Sequence, residues 1–100
     1  MGIRASYLIF LKPARGAPSN LMAMAISSSA IDLLWKDNSD NEVGFRVERS
    51  DRQIFNLPAN QTTFSDTGLA KNRTYSYRVC AFNEAGSSCS NTASAKTPRR

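Results

Sequence analysis

Between Thr74 and Asn83 the chain alternates with a period of two: Tyr75, Tyr77, Val79 and Ala81 on one side, Ser76, Arg78, Cys80 and Phe82 on the other. Aromatic and β-branched residues at every second position demand an extended strand with one buried face, because successive side chains of a strand point to opposite sides. Turn-forming residues bound it, Asp66-Thr67-Gly68 upstream and Asn83-Glu84-Ala85-Gly86 downstream. A half-buried strand cannot stand alone. The remaining sequence must therefore supply further strands and a second apolar layer.

It does so at short, regular spacing. Pro18-Ser-Asn-Leu21-Met-Ala23 starts a first strand, with Pro at an edge where a missing N–H is tolerated. Ser27-Ser28-Ser29 makes a turn, after which Ile31, Leu33 and Trp35 alternate with Asp32, Leu34 and Lys36. Asp37 to Asn41 is a loop by composition. Phe45 and Val47 alternate with Arg46 and Glu48; Ile54–Leu57 is a short strand ended by Pro58; Thr62–Phe64 is another; Ser87–Thr97 closes the set. The expected fold is all-β, seven strands without a helix, and 100 residues suit one small core.

Several of these residues, in this order, resemble the fibronectin type III family. They are Pro18 and Leu21, Trp35, Phe45 with Val47, Phe64 and Asp66 before Leu69, the strand from Tyr75, Gly86 with Ser90, and Thr97-Pro98. The phrase from Trp35 to Arg49 is especially similar to type III modules of secreted bacterial hydrolases and surface proteins. The resemblance implies a seven-stranded immunoglobulin-like β-sandwich over residues 17–98, with 1–16 an N-terminal extension and 99–100 a basic tail. It also implies that Trp35, Leu69 and Tyr75 are structural, and that the Tyr75 hydroxyl bonds back to backbone between Leu69 and Asn72 as a tyrosine corner. Tyr77 shares the inward parity but is farther from that corner, so Tyr77→Phe is expected to cost less than Tyr75→Phe.

Within the strand that starts at Tyr75, a four-residue loop Asn83–Gly86 would set Phe82 opposite Ser87 and Cys80 opposite Cys89. Directly opposed residues lie within disulfide reach, so a Cys80–Cys89 bridge is expected, with two free thiols as the alternative. Parity is a difficulty: Cys80 faces away from Val79 and Ala81, while Cys89 shares parity with the inward Ala93 and Ala95. A bulge or bend near Ser90 would reconcile them. The bridge would place the chain in an oxidising, extracellular compartment.

The net charge of +5 suggests an anionic partner until its location is considered. Arg4, Lys12, Arg15, Arg99 and Arg100 fall outside residues 17–98, leaving eight basic residues against eight acidic ones. A near-neutral body without a basic stripe argues against nucleic-acid binding. No apolar run approaches the ~20 residues of a membrane span. Tyr7-Leu8-Ile9-Phe10-Leu11 has basic flanks and precedes a small-x-small site at Ala14-Arg15-Gly16, but it is short for a signal peptide. A linker or an upstream strand is the better reading, and the Met1-Gly2…Ser6 myristoylation pattern is discounted.

Chemistry-bearing motifs are few. Without His there is no Ser-His-Asp or Cys-His system and no imidazole ligand, and two cysteines cannot complete a structural zinc site. Asp37, Ser39, Asn41 and Glu48 mimic EF-hand spacing, but Glu42 replaces the required Gly and strands flank the loop. Asn60-Gln-Thr62 and Asn72-Arg-Thr74 are glycosylation sequons, relevant only in a eukaryotic secretory pathway. The outer face carrying Arg46, Glu48, Arg78 and Phe82 reads either as a face for an extracellular protein or glycan, or as a solvated face of cross-strand ion pairs. The expected function is a monomeric, non-catalytic, cofactor-free extracellular module that spaces or presents neighbouring domains. Adhesion through that face is the alternative.

Overall fold

The computed structural model describes residues 16–39 and 41–100. The apolar segment Tyr7–Leu11 and the Met1-Gly2…Ser6 pattern lie outside the described residues. Eight strands are present among those described: β1 Ser19–Ser27, β2 Ala30–Lys36, β3 Gly44–Arg49, β4 Ile54–Pro58, β5 Thr63–Asp66, β6 Thr74–Asn83, β7 Gly86–Cys89 and β8 Ala93–Lys96. They form two antiparallel sheets, β1-β2-β5 and β4-β3-β6-β7, with β8 also on β6. The period-two residues of β2, β3 and β6 meet between the sheets. Leu21, Ile31, Leu33, Trp35, Phe45, Val47, Leu69, Tyr75, Tyr77, Val79 and Ala81 form one buried cluster there. Trp35 and Phe45 pack edge to face with ring centres 5.8 Å apart, a geometry aromatic pairs favour.

The count differs from seven because the last strand is divided. Cys80 pairs with Cys89, and Tyr77 pairs with Ala93. Between those pairs the two residues Arg78 and Val79 face the three residues Ser90–Thr92. One extra residue reverses the parity of the strand beyond it. Cys89 can thus face Cys80 on the outer side while Ala93 and Ala95 pack against the core. Ser90 holds the break: its N–H donates to the Val79 carbonyl (2.8 Å) and its Oγ accepts from the Val79 N–H (3.0 Å). Asn91 then bonds the opposite sheet, accepting from the Leu21 N–H (3.2 Å) and donating to its carbonyl (3.3 Å).

The two ends of the folded body lie at opposite poles. Ser19 pairs with Lys36 at the C-terminal end of β2, and the Asn38 amide donates to the Ala17 carbonyl (3.0 Å) and Ser19 Oγ (2.8 Å). At the other end of β2 the Leu69 N–H donates to the Ser29 carbonyl (2.9 Å), which places the segment 69–73 at that pole. Thr97 is fully buried against this segment. Its N–H donates to the Arg73 carbonyl (2.9 Å), its Oγ1 donates to the Ala70 carbonyl (2.7 Å), and the Asn72 N–H donates to the Pro98 carbonyl (3.0 Å).

The Tyr75 hydroxyl accepts from the Ala70 N–H at 3.0 Å, which forms the expected corner in the same segment. Ala70 is exposed, so an amide stranded there can turn to water. Tyr75→Phe is therefore expected to cost only about 0.5–1.5 kcal/mol, read from the shift in urea midpoint. A loss above about 3 kcal/mol would mean that the hydroxyl does more than cap one solvent-accessible amide.

Candidate functional site

The outer face of β3 and β6 brings the predicted residues together, because Glu48 pairs directly with Arg78 and Gly44 with Phe82. Glu48 is the hub. Arg46 Nε donates to its Oε2 at 2.9 Å, while Arg78 Nε and Nη2 donate to its Oε1 at 3.0 and 2.6 Å. The Arg78 hydrogen bond, helped by Arg46 and opposed by partial burial, holds the Glu48 carboxyl below its ordinary value of 4.5. Each such pair on a solvated sheet contributes only about 0.2–1 kcal/mol.

A lowered carboxylate pKa gives stability that is complete above the unfolded value and is lost as pH falls through the folded one. An NMR titration should thus find Glu48 half-protonated below pH 4.5, moving back up in Arg78→Ala. An unchanged midpoint in that variant would show that Arg78 does not hold the carboxylate.

Phe82 is half-buried rather than a free anchor. Its ring covers Gly44, where a Cβ would stand 3.0 Å from Phe82 Cζ and 2.5 Å from the Leu57 carbonyl oxygen. Glycine is needed there for this close approach of ring and neighbouring strand.

The structure bonds Cys80 to Cys89, with Cys80 fully buried on this face beneath its cross-strand neighbours. Trp35, Leu69 and Tyr75 are core residues. Asn60 and Asn72 are both exposed, at φ of 70° and 57°, in the left-handed region that Asn tolerates in turns. The EF-hand mimic dissolves into local turn bonds: the Ser39 N–H donates to Asp37 Oδ1 and Ser39 Oγ to Asn41 Oδ1, both at 2.9 Å. Glu48, its would-be twelfth position, is paired with the two arginines instead.

One polar cluster was not anticipated. Arg49 crosses the edge of the core to Asp66, its Nη1 lying 3.0 and 2.8 Å from the two carboxylate oxygens. Its Nε and Nη2 grip Asp51 (2.8 and 3.0 Å), and the guanidinium lies 5.4 Å from the Tyr75 ring centre and 5.6 Å from that of Phe55. The Tyr77 hydroxyl donates to Asp66 Oδ2 at 2.7 Å. Burial first, and then this hydrogen bond, push the Tyr77 phenol far above its ordinary value of 10. Tyr77 is the more deeply buried of the two tyrosines and serves a buried carboxylate, which favours the opposite order of costs from the one expected on parity alone. The signal was present in the parity: Arg49 follows Phe45 and Val47, and Asp66 follows Phe64, at inward positions. The cluster ties β3, β5 and β6 together through the bonds of Arg49 and Tyr77 to Asp66.

A family model described as Fibronectin type III domain matches residues 16–97. An alpha-amylase of Niallia circulans is 34% identical over 89 residues, 85% of this chain and 7% of that protein. Usherin of Mus musculus is 47% identical over 36 residues, 36% of this chain and 1% of that protein. The chain therefore spans a small fraction of the length of these relatives. The fn3 domain of human contactin 1 superposes with a TM-score of 0.80 at 17% identity, covering 90% of this chain and 83% of that one. The FN5 domain of Drosophila Lar does so at 0.69 with 24% identity, covering 83% and 96%. These two likenesses are of fold.

Proposed function

We propose that this chain, which belongs to the fibronectin type III family, is a non-catalytic extracellular spacer that holds the segments on either side of it a fixed distance apart. The observation that carries this reading is the position of its two ends. The approach at Ala17–Ser19 is tied to Asn38 at one pole, and Thr97–Pro98 is tied to residues 70–73 at the other. The ten residues of β6 run the length between them, about 33 Å at ~3.3 Å per residue. A disulfide inside the sheet supports an oxidising setting. The modest coverage of long relatives supports a module set among other domains.

Adhesion through Arg46, Glu48, Arg78 and Phe82 has less support. Both oxygens of Glu48 are taken by the two arginines and the Phe82 ring covers Gly44, so a ligand would have to displace bonds already made.

The spacer reading is tested by fusing fluorescent proteins to both ends and measuring energy transfer against a Gly/Ser linker of equal length. A Gly/Ser linker of equal residue number spans roughly 50–60 Å on average. A rigid spacer of about 33 Å therefore gives one narrow transfer efficiency, higher than the linker's. A broad distribution equal to the linker's would remove the proposal. Saturable binding to an extracellular protein or glycan, lost in Arg78→Ala, would favour adhesion instead.

A further inference from the structure

The outer face of the β1-β2-β5 sheet carries the opposite pattern to the ion-paired face. Met22, Met24 and Ile26 on β1 and Leu34 on β2 are each more than half exposed. Met22 and Leu34 are cross-strand partners, so these side chains form a contiguous apolar strip. Two shallow hollows of about 340 and 550 Å³ lie on either side and share Met22 and Leu34 in their walls. Scattered apolar residues on a surface need no explanation, but a strip with hollows beside it is the form of a contact surface.

The charges on this face select its occupant. Along the outward side of β2 run Asp32, Leu34 and Lys36, one acid and one base placed symmetrically about an apolar centre. Asp32 is held on the face by Ser65 Oγ, which donates to its Oδ1 at 2.7 Å. A two-fold axis lying between two such faces, perpendicular to the strands and passing at Leu34, reverses one β2 over the other. Leu34 then meets Leu34 and Met22 meets Met22. Asp32 of each copy meets Lys36 of the other, twice over. An isologous interface requires self-complementarity of this kind.

We propose that the β1-β2-β5 face docks a second copy of this chain, face to face and antiparallel, with a Met22–Leu34 centre and two Asp32–Lys36 pairs at its rim. This departs from the monomeric module expected from the sequence. It also goes beyond the spacer reading, since it would set two spacers side by side. The patch is small by the standard of stable interfaces, so the association is weak, with a dissociation constant in roughly the micromolar to millimolar range.

Sedimentation equilibrium of the full chain from about 10 μM to 1 mM tests it, over the range in which such weak interfaces populate. The wild type should shift from monomer to dimer, and Leu34→Ser should remove the shift. Asp32→Lys and Lys36→Asp each place like charges opposite one another, and each alone should weaken association at least about tenfold. Mixed one to one, the two variants regain complementary rims and should form a heterodimer. The doubly exchanged chain should dimerise like the wild type. Thermal melts of each variant establish that the fold is kept. A wild type that stays monomeric throughout, as it would if another segment of the chain covered the strip, overturns the proposal. So does a dimer indifferent to the charge exchanges.

Discussion

Asp66→Ala is expected to lower the unfolding free energy by about 3–5 kcal/mol, the range for removing one partner of a buried ion pair. Arg49 and Asp66 have side chains only 12% and 3% exposed, so neither charge can be restored to water without opening the sheet. Removing Asp66 leaves the guanidinium at the core edge with Asp51 as its remaining carboxylate, and Asp51 is half exposed. That residual pair places the loss toward the lower end of the range. The same change strands the Tyr77 hydroxyl, whose acceptor is Asp66 Oδ2.

Tyr77→Phe alone should cost about 1–3 kcal/mol, more than Tyr75→Phe, because the bond lost is buried and charge-assisted. The two effects share one oxygen. The Asp66→Ala/Tyr77→Phe double variant should thus lose less than the two single losses together, as expected of neighbours in one network. Urea denaturation of the four proteins measures this, with equal m-values required for the comparison. A loss below about 1 kcal/mol for Asp66→Ala would mean the ion pair does not staple the sheets.

The second large effect is expected at the disulfide. Changing both Cys80 and Cys89 to Ala should destabilise the domain by about 2–3 kcal/mol, from loss of a short closed loop. For a domain of this size that corresponds to a fall in melting temperature of roughly 10–20 °C. Cys80 is wholly buried, so a small packing loss adds to the entropic one. The bridge closes a hairpin that already pairs along β6 and β7, so the fold should persist and melt cooperatively at the lower temperature. Equal melting temperatures for the oxidised protein and the double variant would show that the bridge contributes nothing to stability.

Much of this architecture could be read from the alternation of side chains. The period of β6 identified the buried face, and the register that brings Cys80 to Cys89 was legible although Asn83 and Gly86 pair with each other and the loop is two residues rather than four. The parity conflict at Cys89 forecast an irregularity, and the extra residue in Ser90–Thr92 is that irregularity. What could not be read is pairing at a distance. Arg49 and Asp66 sit on different sheets, and no local pattern says that one inward charge will find the other.

The outer face of β1 was obscure for another reason. Leu21 and Ala23 face the core while Met22, Met24 and Ile26 face out, so apolar residues occupy both parities and the alternation disappears. The strip on the outer face was therefore invisible until the register of β1 on β2 was known. On the ion-paired face the residues Arg46, Glu48, Arg78 and Phe82 were correctly grouped, but their mutual satisfaction depends on the pairing of Glu48 with Arg78.

The proposed spacer role requires two ends held at opposite poles, and Asn38 ties down one end while Thr97 ties down the other. Pulsed electron spin resonance between nitroxides carried by non-natural residues at Ala17 and Arg99 measures their separation and leaves the disulfide untouched. The expected result is one narrow distance distribution centred near the length of β6, about 33 Å plus the label arms. Thr97→Val, which removes the hydroxyl that bonds Ala70, should broaden it. A broad distribution in the wild type, or a distance well under half that length, would show that the ends are not held apart by the fold.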